Sequence, residues 1–458
     1  MNWQPWQANM GLAYLLVFIA VFLLVTDYVK NRSPKNFPPS PPGLPFVGNV
    51  FHLDPKQPHI NMKKVSVYGN VFSLRLGRSR IVVVNGYKMA KEALVNQPDA
   101  VPSRPSDPMF ERINKLYGVV LSSGYRWKQH RRFMLTTLRN FGVGKKSLES
   151  TIIEELGYFR QAIQEEQGRP FEPHFLINNA IANIICSMVF GRRFEYTLKH
   201  MERLSGMPPG SLPCSKKLLV VEFLRSEIEE HKKDWDPAAP RDFIDCYLEE
   251  IEMVTNLSYT LLDLFVAGTE TTSTTLRWAL LYLMKYQDVQ EKVQKEIDAV
   301  LGRDQPPSMQ DRTNLPYTDA VIHEIQRMAD IVPLNMARKA DEEFSLGGCI
   351  IPKNTTVLVN LNSVLFDEEE WDDPFTFKPE RFLDANGKFS KNDAFFVFSA
   401  GKRSCLGEPL ARMELFLFFT SLLQRFTFQP PEGVEPTLDF QMGLTRVPVL
   451  YNIRAIPR

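Results

Sequence analysis

The pattern of apolar and polar positions changes character several times along the chain, and each change predicts an element. MGLAYLLVFIAVFLLVT, Met10 to Thr26, carries no charge. Extended by Trp6 to Asn9 on one side, or by Asp27 to Val29 on the other, it is long enough to span a bilayer as a helix rising about 1.5 Å per residue. A cleaved signal peptide would place basic residues ahead of its apolar run. Here no basic side chain precedes the run, and Lys30, Arg32 and Lys35 follow it. Positive flanks stay cytoplasmic. Residues 1–29 are therefore expected to be an uncleaved anchor, with a short lumenal N-terminus and a cytoplasmic body. FPPSPPGLPFVGN, Phe37 to Asn49, is proline-rich and therefore stiff. It reads as a spacer within a linker over 30–50 that orients the body against the membrane.

The body, 51–458, alternates between two periods. VFSLRLGRSRIVVVNG, Val71 to Gly86, is β-branched and alternating, which predicts a hairpin. KMAKEALVNQ reads as a helix, and Trp127 to Phe190 is mostly helical in pattern. Leu261 to Tyr286 predicts one long apolar helix. DVQEKVQKEIDAVLG and the segment around YTDAVIHEIQRMAD predict amphipathic helices. CIIPKNTTVLVNL reads as strands. A last apolar helix follows Cys405, and short strands run to Arg458. No internal repeat interrupts this order. The expectation is a mainly α body with small β-sheets, folded as one interlocked domain behind the membrane helix.

Composition narrows the function. The formal net charge is +1 over 458 residues, so no global field points to nucleic acid. The five cysteines, Cys186, Cys214, Cys246, Cys349 and Cys405, are scattered without a CxxC pair. That is a poor disulfide framework and a poor zinc site, and it suits a reducing compartment. The sequons at Asn256 and Asn354 would face the cytoplasm and carry no glycan.

FVFSAGKRSCLGEPLAR, Phe396 to Arg412, places one cysteine just before a strongly apolar run. A thiolate is a soft metal ligand, and a helix N-terminus stabilises its charge. Gly401 permits a tight turn and Gly407 a close backbone approach. Arg403 adds positive charge suited to a carboxylate. One anionic sulfur facing a metal whose other ligands come from elsewhere points to haem. A buried structural cysteine is the alternative reading of the thiol alone.

Spacing adds to this. Phe398, Gly401, Arg403, Cys405 and Gly407 match the signature FxxGxRxCxG, and the chain resembles the cytochrome P-450 family. Glu324 and Arg327 form ExxR; WDDPFTFKPERF resembles the family's PERF segment; AGTETTS, Ala267 to Ser273, resembles its oxygen-activation motif; and WKQHRR resembles the helix that reaches a haem propionate. The resemblance covers nearly the whole chain. It implies a haem cofactor with Cys405 as the axial ligand of the iron, seated against Phe398, Gly401, Gly407 and Ala267. Arg104, Trp127, Arg131, Arg338 and Arg403 are the implied propionate partners. Glu270 and Thr271 match the acid–alcohol pair that guides protons to dioxygen. Thr271 can bond back to the Ala267 carbonyl and open the helix locally; a helix with a packing glycine and capping threonines is the alternative reading. Glu324 and Arg327 can share a helix face and, with Arg381, make a buried network that supports the haem loop; a solvated pair is the alternative.

The resemblance also implies partners. Apolar walls from Met109 to Val120, Phe265, Ala267, Ile331 to Met336 and Leu444 suit a lipophilic substrate. No flavin or nicotinamide fingerprint is present, so electrons would come from an NADPH–haemoprotein reductase, with cytochrome b5 as a further donor. Lys128, Arg131, Arg132, Arg139, Lys145 and Lys146, with Lys402 and Arg412, could offer that reductase a positive face; a solvated basic helix has the same pattern. RFMLTTLRNFGVGKKSLE, RDFIDCYLEEI and AGTETTSTTLRWALLY resemble the microsomal branch that epoxidises arachidonic acid. The chain is shorter than that branch at about 198–220, which would roof the pocket, and at about 253–260. The expected activity is insertion of one oxygen atom into a fatty acid or xenobiotic at the endoplasmic reticulum membrane. The alternatives are a haem-binding chain impaired by its short roof, and a haem-thiolate isomerase of lipid peroxides.

Overall fold

A computed structural model describes residues 4–106, 111, 116–140, 146–196, 214–236, 240–250 and 254–458. Met109, Lys145, residues 198–213 of the shortened 198–220 stretch, and Met253 of the second, lie outside the described residues. The described chain gathers into two compact units. One comprises Met1–Pro105 with Met336–Ser363, the other Ser106–Asn335 with Val364–Arg458.

The smaller unit begins with helix α1, Gln4–Lys30. Its stretch Leu12–Lys30 is long and apolar enough to cross a membrane, and none of it is buried in protein. The expected hairpin forms from β1, Val71–Leu76, and β2, Ser79–Val84, paired antiparallel with Val71 opposite Val84. Strand β3, Arg338–Lys339, and β4, Thr356–Val359, complete a four-stranded sheet of order β1-β2-β4-β3. β4 runs parallel to β2. The run Val82–Val84 is fully buried, as expected of a strand covered on both faces. The helix expected over KMAKEALVNQ forms at Tyr87–Lys91 and passes into a wider turn at Glu92–Asn96.

The larger unit is helical. Its elements are α2, Gly124–Asn140; α3, Lys146–Glu165; α4, His174–Phe190; α5, Cys214–Lys233; α6, Phe243–Glu250; α7, Val254–Lys285; α8, Gln287–Val300; α9, Pro316–Ala329; and α10, Glu408–Arg425. Short strands β5, Phe426–Gln429, and β8, Arg454–Pro457, pair antiparallel, and β6, Phe440–Met442, pairs with β7, Arg446–Pro448. Helix α7 is mostly buried, its polar side chains Asn256, Asp263 and Arg277 included, as befits a helix surrounded by protein. It packs most extensively on α4. Gly268 makes that approach possible, because a methyl group there would lie 2.8 Å from Ile185 Cδ1. α10 packs against α3, α7 and α8, and Leu415 to Leu423 are buried without a break. Proline opens α9, where its missing N–H costs nothing, and Asp330 closes it in the left-handed region at φ 42°.

Candidate active site

Cys405 sits between a short turn, Gly401–Arg403, and the start of α10. The turn needs Gly401, whose φ is +72°. The Cys405 amide donates to the Phe398 carbonyl at 2.9 Å, which closes the loop. Gly407 caps α10, and a Cβ there would meet only Cys405 Sγ, at 3.8 Å. The thiol is accessible on its surface although protein encloses it. Burial pushes its pKa up; the Gly407 and Glu408 amides and Arg131 pull it down, while Glu408 opposes them. Charge on this sulfur is therefore favoured when a cation is bonded to it.

The loop is held from three directions. Arg131 Nη2 on α2 donates to the Ser404 carbonyl at 2.6 Å. Arg403, only 7% exposed, donates to the carbonyls of Val119 at 3.2 Å and Ser122 at 2.6 Å, and its guanidinium lies 3.8 Å from the centre of the Trp127 ring. Phe398 lies beneath Arg412, at 5.1 Å. Arg412 in turn clasps Glu408 at 2.8–2.9 Å and meets His323 Nε2 at 2.9 Å.

The supporting network forms as the sequence suggested. Glu324 and Arg327 are both 0% exposed and pair through two bonds, at 2.7 and 2.8 Å. Arg381 Nε and the Lys378 amide reach Glu324 Oε1 at 3.0 and 2.9 Å. Arg327 Nη1 also donates to the carbonyls of Leu365 and Pro374. A solvated helix pair is thereby excluded.

On α7, Thr271 Oγ1 donates to the Ala267 carbonyl at 2.6 Å. The helix nonetheless continues unbroken from Val254 to Lys285. The local opening expected from the sequence is not present; the hydroxyl bonds to the carbonyl without breaking the helix. Ala267 is exposed near the middle of α7, flanked by the half-buried Val266, Gly268, Glu270 and Thr271. Glu270 is turned toward the β6–β7 hairpin, where Thr445 Oγ1 donates to it at 3.0 Å. Burial raises the Glu270 pKa, against the opposing effect of Thr445 and Arg277. Phe265, expected to line the pocket, packs in the core instead, stacked on Phe190 with ring centres 5.4 Å apart.

Of the remaining implied cofactor partners, Trp127 is 4% exposed and its Nε1 is buried with no hydrogen-bond partner among the described residues. Arg104 and Arg338 belong to the smaller unit. There Arg104 Nη1 donates to the carbonyls of Met336 and Ala337 at 2.8 and 2.9 Å, and Arg338 is buried on β3. The basic residues Lys128, Arg132, Arg139 and Lys402 are exposed.

The roles of three residues escaped the sequence reading. Asp263 accepts the amides of Val119 and Val120 at 2.8 and 2.9 Å, and Asn256 accepts that of Gly118 at 3.0 Å. The segment that Arg403 holds from the thiol side is thus held from α7 as well. Asn256 is fully buried, so a glycan on it would be incompatible with this fold. Glu414 on α10 is buried, its Oε1 has no partner among the described residues, and burial pushes its carboxyl up to about 8.

Among the described residues no group of three or more His, Cys, Asp or Glu could hold a metal ion. A metal at Cys405 must bring its other ligands. An enclosed but accessible thiol and an unpaired buried indole N–H fit haem, which supplies four nitrogens and two carboxylates needing donors. Fold and site together define the class as haem-dependent monooxygenases. The chain belongs to the cytochrome P450 family, whose model matches residues 38–207 and 215–455.

The chain is 47% identical to cytochrome P450 2J2 of Homo sapiens, over 97% of this chain and 96% of that protein. It is 47% identical to cytochrome P450 2J1 of Oryctolagus cuniculus, over 97% and 96%, and 42% identical to cytochrome P450 2D28 of Mesocricetus auratus, over 98% and 99%. The match to the human protein runs over 483 residues, more than the 458 of this chain, so it contains gaps on this side.

Proposed function

We propose that this monooxygenase acts on a lipophilic substrate, a polyunsaturated fatty acid such as arachidonate or a xenobiotic, at the endoplasmic reticulum membrane. α1 is the anchor, and the catalytic body faces the cytoplasm. An NADPH–haemoprotein reductase supplies electrons, with cytochrome b5 as a further donor. The observation that carries the reading is the Cys405 loop, which presents one thiol between the Phe398 carbonyl and the first amides of α10.

Haem bound there supplies the oxygen chemistry, inserting one atom of dioxygen into the substrate. Cys405 Sγ is the ligand of its iron, and Arg131 and Arg403 fix the loop that carries the sulfur. Trp127 Nε1 would offer a donor for a propionate. Phe398, Gly401, Gly407 and Ala267 are the positions that would seat the macrocycle. Glu270, whose raised pKa favours keeping its proton, and Thr271 Oγ1 form the proton route. Lys128, Arg132, Arg139 and Lys402 are the exposed charges available to an acidic reductase. The test is reconstitution of the full chain with reductase, NADPH and arachidonate. Epoxide or hydroxyl products supply the proof; NADPH consumption without product on any lipid would refute the substrate assignment.

One observation favours a second reading, a chain that binds haem but turns over poorly. The family match breaks at 208–214, inside the 198–220 stretch, and the alignment to the human relative is longer than this chain. A normal haem spectrum without product would select it.

A further inference from the structure

A cavity of about 420 Å³ lies in the smaller unit where α1 ends. That volume falls within the range of about 300–1,000 Å³ typical of small-molecule sites. Leu24 and Tyr28 of α1 line one side, and Arg32, Ser40, Arg75 and Arg80 line the others. Asp27 is the one carboxylate in the lining, and Arg75 occupies it at 3.2 Å. Arg75 also donates to the Leu44 carbonyl at 2.6 Å. Arg80 donates to the Asn31 carbonyl and lies over the Phe37 ring. Among the described residues no carboxylate pairs with Arg32 or Arg80. The lining therefore carries three guanidinium groups against one carboxylate.

This excess sits at a particular depth. A span of about 20 residues crosses the hydrocarbon of a bilayer, and the apolar stretch here ends at Lys30. Leu24, six residues earlier, lies about 9 Å back along the helix. The cavity thus has an apolar edge at the hydrocarbon boundary and cationic walls at the level of lipid headgroups. Two guanidinium groups facing one space match phosphate, which takes paired N–H donors. Burial and the neighbouring Arg75 both lower the Arg80 pKa, a cost that a bound anion relieves.

We propose that this cavity binds the headgroup of an anionic phospholipid, with its phosphate between Arg32, Arg75 and Arg80 and an acyl chain along Leu24 and Tyr28. The inference rests on α1 being the membrane anchor. Incorporation of the full chain into nanodiscs tests that premise separately, and a chain that failed to incorporate would overturn both.

The experiment is native mass spectrometry of the full-length protein released from nanodiscs of phosphatidylcholine with a minor fraction of phosphatidylserine. The retained ratio of phosphatidylserine to phosphatidylcholine should exceed the bulk ratio by about thirtyfold, the weight of two cations near a charged surface. The Arg32→Gln/Arg80→Gln variant should fall to the bulk ratio. The Lys30→Gln/Lys35→Gln variant, which alters charges outside the lining, should keep the preference. Arg32 makes no described side-chain contact, so Arg32→Gln alone should lower the preference severalfold even if changes at Arg80 disturb folding. An unchanged ratio in the arginine variants, or equal loss in the lysine variant, would show diffuse attraction and overturn the site. Displacement of the lipid by inorganic phosphate at constant ionic strength would reassign the cavity to free anions, against the proposal.

Discussion

Glu324→Gln is the sharpest test of how the larger unit holds its thiol loop. Four donors converge on this carboxylate: two from Arg327, one from Arg381 and the Lys378 amide, at 2.7–3.0 Å. Both members of the Glu324–Arg327 pair are 0% exposed, and the Arg381 side chain is 6% exposed. Glutamine keeps the shape but leaves two buried cations without a counter-charge. Breaking a buried pair in this way costs about 3–5 kcal/mol. Against a typical stability of about 5–15 kcal/mol this is a large fraction. At an unfolding entropy of about 2.1 cal/mol/K per residue, the loss corresponds to a fall in Tm of roughly 3–5 °C for a chain of this size. The assay is thermal loss of the haem Soret band, with haem content measured at the start. Arg381→Lys, at the edge of the network, should cost less and keep haem. A Glu324→Gln protein with unchanged haem content and a Tm within 1 °C of the parent, a margin of about 1 kcal/mol, would refute the idea that this network fastens the loop.

Three further outcomes are expected. Thr271→Ala should retain haem but lose product relative to NADPH consumed; full coupling measured by product per NADPH would contradict the proton route. Glu414 keeps its proton up to about pH 8 in the folded chain, whereas its ordinary value is 4.5; the unfolded state therefore loses that proton first, and stability falls with rising pH between those values by up to about 1.4 kcal/mol per pH unit. Glu414→Gln should remove that slope, so its Tm should gain on the parent from pH 5 to pH 8; a constant difference would dispose of the argument. Asp263→Asn weakens the acceptor for the Val119 and Val120 amides and should lower haem retention without altering the position of the bands, as followed by haem loss to a scavenger.

The N-terminal apolar helix, the hairpin, the long α7 helix and the thiol loop were legible because each is a local pattern. Charge-free length, alternation, a run of apolar residues and fixed spacing around Cys405 all lie within short stretches. Glu324 with Arg327 was legible for the same reason, being one turn apart on α9. What escaped was contact between distant parts of the chain. Asp263 reaches Val119 across 144 residues and Arg403 reaches Ser122 across 281, and no periodicity marks either partner. Glu414 was hidden inside an apolar run, where a single carboxyl reads as an interruption. Phe265 and Ala267 stand two positions apart in an apolar helix. Only the packing of Phe190 shows that the first is core, and only the exposure of the second shows that it faces open space. Nor could the sequence announce two compact units, since the smaller one is assembled from 1–105 and 336–363, segments far apart in the chain that no local pattern joins.

The central claim is that Cys405 is a thiolate ligand to haem iron in a chain whose match to its relatives contains gaps. The carbon monoxide difference spectrum of the reduced, membrane-expressed protein tests it most directly. The account predicts the red-shifted Soret band of a thiolate-ligated haem, lost on Cys405→Ala. A histidine-like or thiol-like band in the parent protein, no band at all, or a thiolate band that survives in Cys405→Ala, would contradict it.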